Sequence, residues 1–136
     1  MSQAGQQDVA RTSELLVGTY TERLPFVDGT APGILSCSCE DGVVGPPALL
    51  AAARNPSWLA IAPSGRNVYA IHETTDFVGE AAGGLTAYAR DPATGALTSL
   101  GSRPSAGLSP AHVALGGPRP FVLVANYDSG SVAAFG

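Results

Sequence analysis

Residues 55–73, Asn55-Pro-Ser-Trp-Leu-Ala-Ile-Ala-Pro-Ser-Gly-Arg-Asn-Val-Tyr-Ala-Ile-His-Glu73, align without a gap to residues 109–127, Ser109-Pro-Ala-His-Val-Ala-Leu-Gly-Gly-Pro-Arg-Pro-Phe-Val-Leu-Val-Ala-Asn-Tyr127. Each copy reads as strand, tight turn, strand. The second strand of that unit, Val68 to Glu73 or Val122 to Tyr127, has an earlier counterpart in Leu15 to Tyr20. A Gly-led strand follows all three: Gly33 to Cys39, Gly84 to Arg90 and Gly130 to Gly136. A unit that recurs at a fixed period cannot bury its apolar face alone, so successive copies must pack on one another.

A fourth strand follows twice. Asp91-Pro-Ala-Thr-Gly95 has Pro for its first corner and Gly for its last, and leads into Ala96 to Leu100. Glu40-Asp-Gly42 makes the matching turn before a weaker stretch, Val43 to Ala53, which Gly45-Pro46-Pro47 interrupts. Four short strands in about 50 residues are the signature of a β-propeller blade. With 17 Gly and 11 Pro among 136 residues, the chain is too heavily punctuated for long helices. The run of helix formers from Ala48 to Arg54 lies between Pro47 and Pro56 and reads as strand and linker.

The fold class is therefore all-β, a propeller of four-stranded blades. Counted outward from the central channel, the chain opens on a second strand (Leu15 to Thr21) and stops on a third (Ser131 to Phe135). This divides it into a polar tail at 1–14, blade one at 15–54 without its inner strand, blade two at 55–108, and blade three at 109–136 without its outer strand. A closed propeller needs about four to eight blades. Two and a half blades imply the N-terminal part of a larger ring, or a short product that closes by assembling copies; either way, open blade edges favour self-association.

Charge and composition exclude several chemistries. All seven basic residues are Arg, so neither a Schiff-base lysine nor a phosphate-loop lysine is available. The net charge is −4 and the Arg residues are scattered, so nucleic acid is not an expected partner. The first fourteen residues are polar and no window has the length of a membrane span, which predicts a cytoplasmic protein without membrane contact. Cys37 and Cys39, the two cysteines, read as free thiols of a reducing compartment, and no further ligands lie near them to hold a metal. Ser64-Gly and Ser129-Gly lack a nucleophile-elbow frame, Gly83-Gly84 is too short for a phosphate cradle, and His72, Glu73 and Asp76 lack metal-ligand spacing. Neither metal nor cofactor is expected.

Leu16-Val-Gly-Thr-Tyr-Thr21, Asn55 to Arg66, Asp91 to Leu97, Ser109-Pro-Ala-His-Val113 and Val122 to Tyr127 together resemble the seven-bladed propeller lactonase family, typified by bacterial cytoplasmic 6-phosphogluconolactonase and including carboxymuconate-cyclising relatives. The resemblance runs over residues 15–136, well under half of a family member. Gly116-Gly-Pro-Arg-Pro120 stands where the family usually has an Asp-Gly type turn. The implied activity is hydrolysis of a sugar lactone, 6-phosphogluconolactone first; the alternatives are the muconate-cyclising reaction and a non-catalytic fragment that only assembles or binds partners.

In a propeller, the linkers between blades and the loops from second to third strands open on one face. His112 begins an inner strand there, and its repeat counterpart is Trp58, so the scaffold has no need of imidazole at that position. Near its ordinary pKa a His can accept a proton from an attacking water; the competing reading is a ring satisfied by backbone carbonyls. The resemblance, which has a His in this motif, favours a catalytic role. Glu73 is the second catalytic candidate, to orient His112, raise its basicity or bind a sugar hydroxyl, and it too is matched by the resemblance. His72 points to the opposite face of the same strand and reads as structural. Tyr20, Asn126 and Tyr127 are the candidate substrate-binding residues, with ordinary packing as the alternative, and Trp58 is either inner-strand core or a stacking platform. None of the Arg residues is placed to meet an oxyanion or phosphate: Arg66 and Arg119 fall in turns on the far face, Arg54 and Arg103 near linkers. The cationic partners are expected beyond Gly136.

Overall fold

A computed structural model describes residues 12–118 and 121–136 of the chain. β1 (Thr12–Val17) is followed by a small hairpin of β2 (Arg23–Leu24) and β3 (Val27–Asp28), then by β4 (Gly33–Glu40), β5 (Val43–Val44) and β6 (Ala48–Ala52). In this first sheet β4 pairs antiparallel with β1 on one edge and with β5 and β6 on the other. The second sheet is a meander of β7 (Leu59–Ile61), β8 (Asn67–His72), β9 (Gly84–Arg90) and β10 (Leu97–Pro104). The third takes β11 (Pro110–Gly116), β12 (Phe121–Asn126) and β13 (Ser131–Phe135) in the same order. Every pairing is antiparallel between strands joined by short turns, the up-and-down pattern of propeller blades.

Turn chemistry sets the register. Asp41 and Gly42 both adopt positive φ, 49° and 84°, as a two-residue hairpin between twisted strands requires. Asp91 Oδ1 accepts from the amides of Ala93 and Thr94, and Gly95 donates to the Asp91 carbonyl, closing the turn into β10. Gly45-Pro46-Pro47 splits the outer edge of the first sheet into β5 and β6. β10 runs on to Pro104 through a bulge between Ser99 and Gly101, further than its apolar run suggests.

β1 departs from its expected bounds at both ends. Thr12 to Glu14 pair with Glu40 to Ser38, so the strand starts before Leu15. It stops at Val17 because the next residues turn to the linker of the second sheet: the Thr19 amide donates to the Pro56 carbonyl at 3.0 Å. Gly18 lies so close to that carbonyl that a Cβ would collide with it. The β2–β3 hairpin is not anticipated from the sequence; its counterpart in the second unit is a single antiparallel bridge of Phe77 and Glu80, 53 residues on from the Leu24–Val27 pair.

The second sheet is buried on both faces. Val68 and Ala70 of β8 join Ile34 and Tyr88 in a core shared with the first sheet, backed by Leu16, Leu50 and Leu59. Ile71, from the opposite face of β8, joins Leu85, Val113, Val122 and Val124 in a core shared with the third sheet. Alternation along one strand thus feeds two cores. Full burial of a side chain such as Ile71 is worth about 1.5–3 kcal/mol, so face-to-face packing of sheets is what holds these short strands.

Candidate active site

The linkers entering β7 and β11 and the loops leaving β1, β8 and β12 gather at one end of the sheets. A cavity of about 800 Å³ opens there, its wall including Glu22, Phe26, Arg54, Glu73, Ser109 and Tyr127. The repeat explains which side chains reach it. Tyr20, Glu73 and Tyr127 occupy one repeat position just past the second strand of each unit, and Thr19, His72 and Asn126 occupy the position before it. Successive residues of an extended chain point to opposite sides.

The outward set builds a polar cluster. Tyr20 Oη donates to Glu73 Oε2 at 2.9 Å, and Ser57 Oγ donates to the same oxygen at 2.6 Å. Burial, then the adjoining Glu73 carboxylate, pushes the Tyr20 phenol above its ordinary pKa, so it stays a donor at neutral pH. Its ring meets Phe26 edge-on at 5.6 Å, which gives the β2–β3 hairpin a place in the site. Among the described residues Glu73 Oε1 takes no hydrogen bond, leaving an acceptor on the cavity wall. Tyr127 is 78% exposed on the same wall.

The inward set is structural. Asn126 is 1% exposed; its Oδ1 accepts from Ser105 Oγ at 2.8 Å and its Nδ2 donates to the Ser105 carbonyl at 3.1 Å. Gly107 packs against this amide so tightly that a Cβ would stand 2.6 Å from Asn126 Cγ. The expected ligand-binding amide is therefore spent on clamping the β10–β11 linker. His72 clamps the preceding linker in the same way. Its Nδ1 lies 2.7 Å from the Arg54 carbonyl, which can only accept, so Nδ1 carries the proton and Nε2 accepts from Thr86 Oγ1 at 2.7 Å. Thr86 in turn accepts from Ser102 at 2.6 Å.

Burial pushes the His72 imidazole below its ordinary pKa of about 6.5. The folded state then binds fewer protons here than the unfolded chain, so this contribution to stability is complete above about pH 6.5 and is lost as pH falls below it. The melting temperature is expected to drop between pH 7.5 and 5.5, and His72→Gln to melt lower but with a flatter pH dependence. An unchanged slope in that variant would refute the assignment.

Arg54, by sequence a linker residue not placed to meet substrate, lies on the cavity wall. Its Nε bonds Glu22 at 2.9 Å, while Nη1 and Nη2 grip both carboxylate oxygens of Asp76 at 3.0 Å. Asp76 first and then Glu22 hold the guanidinium charged, and Asp76 is held below the usual carboxylate range. Beside it, Asn55 is fully buried and its Oδ1 accepts from the amides of Thr21 and Glu22. Both residues lie in the linker between the first two sheets, which opens on the mouth face. Ser57 was also missed; its place beside Glu73 depends on a side-chain direction that spacing does not show. Arg103 lies over the Phe135 ring at 5.4 Å, away from the site, and Arg66 sits in the β7–β8 turn. Arg119 is outside the described residues.

His112 is exposed at the start of β11, and its ring stands 4.7 Å from that of Trp58, centroid to centroid. Its neighbour Ala111 lines the cavity. Among the described residues Glu73 is bonded to Tyr20 and Ser57 and not to His112, so the geometry does not pair the two catalytic candidates. Among the described residues no three His, Cys, Asp or Glu side chains stand together as a metal site.

Up-and-down sheets stacked face to face, with a cavity where their linkers converge, define part of a β-propeller. The sequence profile of the family described as lactonase, 7-bladed beta-propeller, matches residues 14–136. The chain belongs to that family. It is 35% identical over 121 residues to the 6-phosphogluconolactonase of Bacillus subtilis (strain 168), covering 88% of this chain and 32% of that protein. The periplasmic gluconolactonase PpgL of Pseudomonas aeruginosa superposes with a TM-score of 0.77 at 33% identity, over 91% of this chain and 34% of that one. A candidate 6-phosphogluconolactonase of Bacteroides uniformis ATCC 8492 gives 0.74 at 34% identity, over 90% and 32%. The chain thus spans about a third of the length of these relatives.

Proposed function

We propose that the full-length protein to which these blades belong, divided at 54/55 and 108/109, hydrolyses a sugar lactone at this cavity, with 6-phosphogluconolactone as the substrate and His112 as general base. The observation that carries the reading is the polar cluster on Glu73, set in the mouth of a lactonase-family propeller. Water adds to the lactone carbonyl as His112 takes its proton; the ring C–O bond then breaks, and the proton passes to the departing alkoxide to leave a hydroxy acid. Glu73 and Tyr127 face the sugar hydroxyls, while Tyr20 and Ser57 hold the Glu73 carboxylate in place. The oxyanion and the phosphate need cationic partners. Arg54 is already engaged by two carboxylates, so those partners are placed outside the described residues.

The described wall carries Glu22, Glu73 and Asp128 against one Arg54; its carboxylates suit the hydroxyls of a sugar, while the phosphate depends on the cationic partners. The test is turnover of 6-phosphogluconolactone, corrected for spontaneous opening, in the full-length enzyme and its Glu73→Gln variant. The variant is expected to raise KM about tenfold with kcat within about threefold. An unchanged KM would remove Glu73 from substrate binding, and absence of turnover in the parent enzyme would overturn the function.

A cytoplasmic location is part of the proposal, supported by the free thiols of Cys37 and Cys39. Among the described residues no helix is long and apolar enough to cross a membrane.

A further inference from the structure

Trp58 and His112 hold the same position in successive repeats, and their rings meet at 4.7 Å with 48° between planes. Trp58 is 47% exposed and belongs to neither core cluster, so an indole is left half in water beside an exposed imidazole. Its backbone is fixed, because the Trp58 carbonyl accepts from the Ile71 amide at 3.2 Å and the neighbouring Ser57 is tied to Glu73. His112 follows a bulge: Pro110 pairs with Asn126 and His112 with Ala125, which leaves Ala111 as the extra residue. A bulge re-aims the side chain that follows it. Among the described residues the His112 ring has no hydrogen-bond partner, so the indole is the contact that defines its orientation.

We propose that Trp58 is the positioning residue for His112. The inference rests on His112 as the general base. The indole, in contact with one side of the imidazole, limits the rotamers open to it. When the ring takes the proton of the attacking water, the imidazolium so formed lies within cation–π distance of the indole. That attraction exists only once charge develops, so it lowers the barrier without tightening substrate binding.

The test compares Trp58→Ala and Trp58→Phe with His112→Ala in the full-length enzyme. Trp58→Ala is expected to lower kcat about 10- to 30-fold with KM within about threefold, and Trp58→Phe to recover most of the loss because it restores an aromatic face. In proton NMR spectra Trp58→Ala should move the ring signals of one histidine, His112, and leave those of His72, which stacks on Phe77, in place. If His112→Ala retains activity, the general-base reading fails whatever Trp58 does. If His112→Ala is inactive while Trp58→Ala keeps its kcat, or changes KM alone, the positioning role is overturned and the base stands. Unmoved His112 signals would overturn it as well.

Discussion

Replacing His112 by Ala is expected to cut turnover of 6-phosphogluconolactone by at least about 100-fold and to leave the melting temperature nearly unchanged. The two halves of that expectation have separate causes. Without imidazole, water must give up its proton unaided, and general-base assistance is worth about 100- to 10,000-fold. Stability is little affected because the ring is exposed, makes no hydrogen bond among the described residues, and stands where the preceding repeat has Trp58. The scaffold loses one aromatic contact, about 0.5–1.5 kcal/mol. The measurement is kcat beside a thermal melt of the same preparation. A variant within about threefold of the parent would remove His112 from the chemistry, and a large fall in melting temperature would make it a structural residue.

How far the sequence could be read depended on whether a feature repeats. β9 and β13 begin at the expected glycine or just after it, and β8 and β12 sit within a residue of their expected bounds, because alternation and turn chemistry recur there. The β2–β3 hairpin has two residues to each strand, and its counterpart in the second unit is the single antiparallel bridge of Phe77 and Glu80 in a loop of different sequence, so the period did not reveal it. The same holds at the site. Alternation separated Glu73 from His72, and the structure puts one on the cavity wall and buries the other. That argument, carried across the repeat to Tyr127 and Asn126, would have placed Asn126 beside His72 as a linker clamp; treated apart from the repeat, it read as a ligand group. Arg54 and Ser57 escaped notice for another reason. Their roles come from where long or small side chains turn within a linker, which is decided by partners as distant in sequence as Glu22, Asp76 and Glu73.

Purified residues 1–136 are expected to give β-type circular dichroism, to self-associate at modest concentration, and to show no appreciable lactone turnover. Two of the three sheets have one face covered. The second sheet seals the inner faces of its neighbours, whereas Leu15 and Val17 of β1 and Val132 of β13 remain 39%, 37% and 70% exposed. Among the described residues β1 and β13 each pair on one edge only, so backbone donors and acceptors stand open at both ends of the stack. Such edges, flanked by apolar surface, recruit further chains. Catalysis suffers for a related reason. With the mouth walled on one side, bulk water reaches the Glu73 cluster and His112, raising the local dielectric and weakening every charge interaction that would stabilise an oxyanion. Size-exclusion chromatography with light scattering, run beside the lactone assay on the same fractions, decides the matter: oligomers without turnover are the expected result, and a monodisperse monomer that opens lactone would show that these blades form a working site on their own.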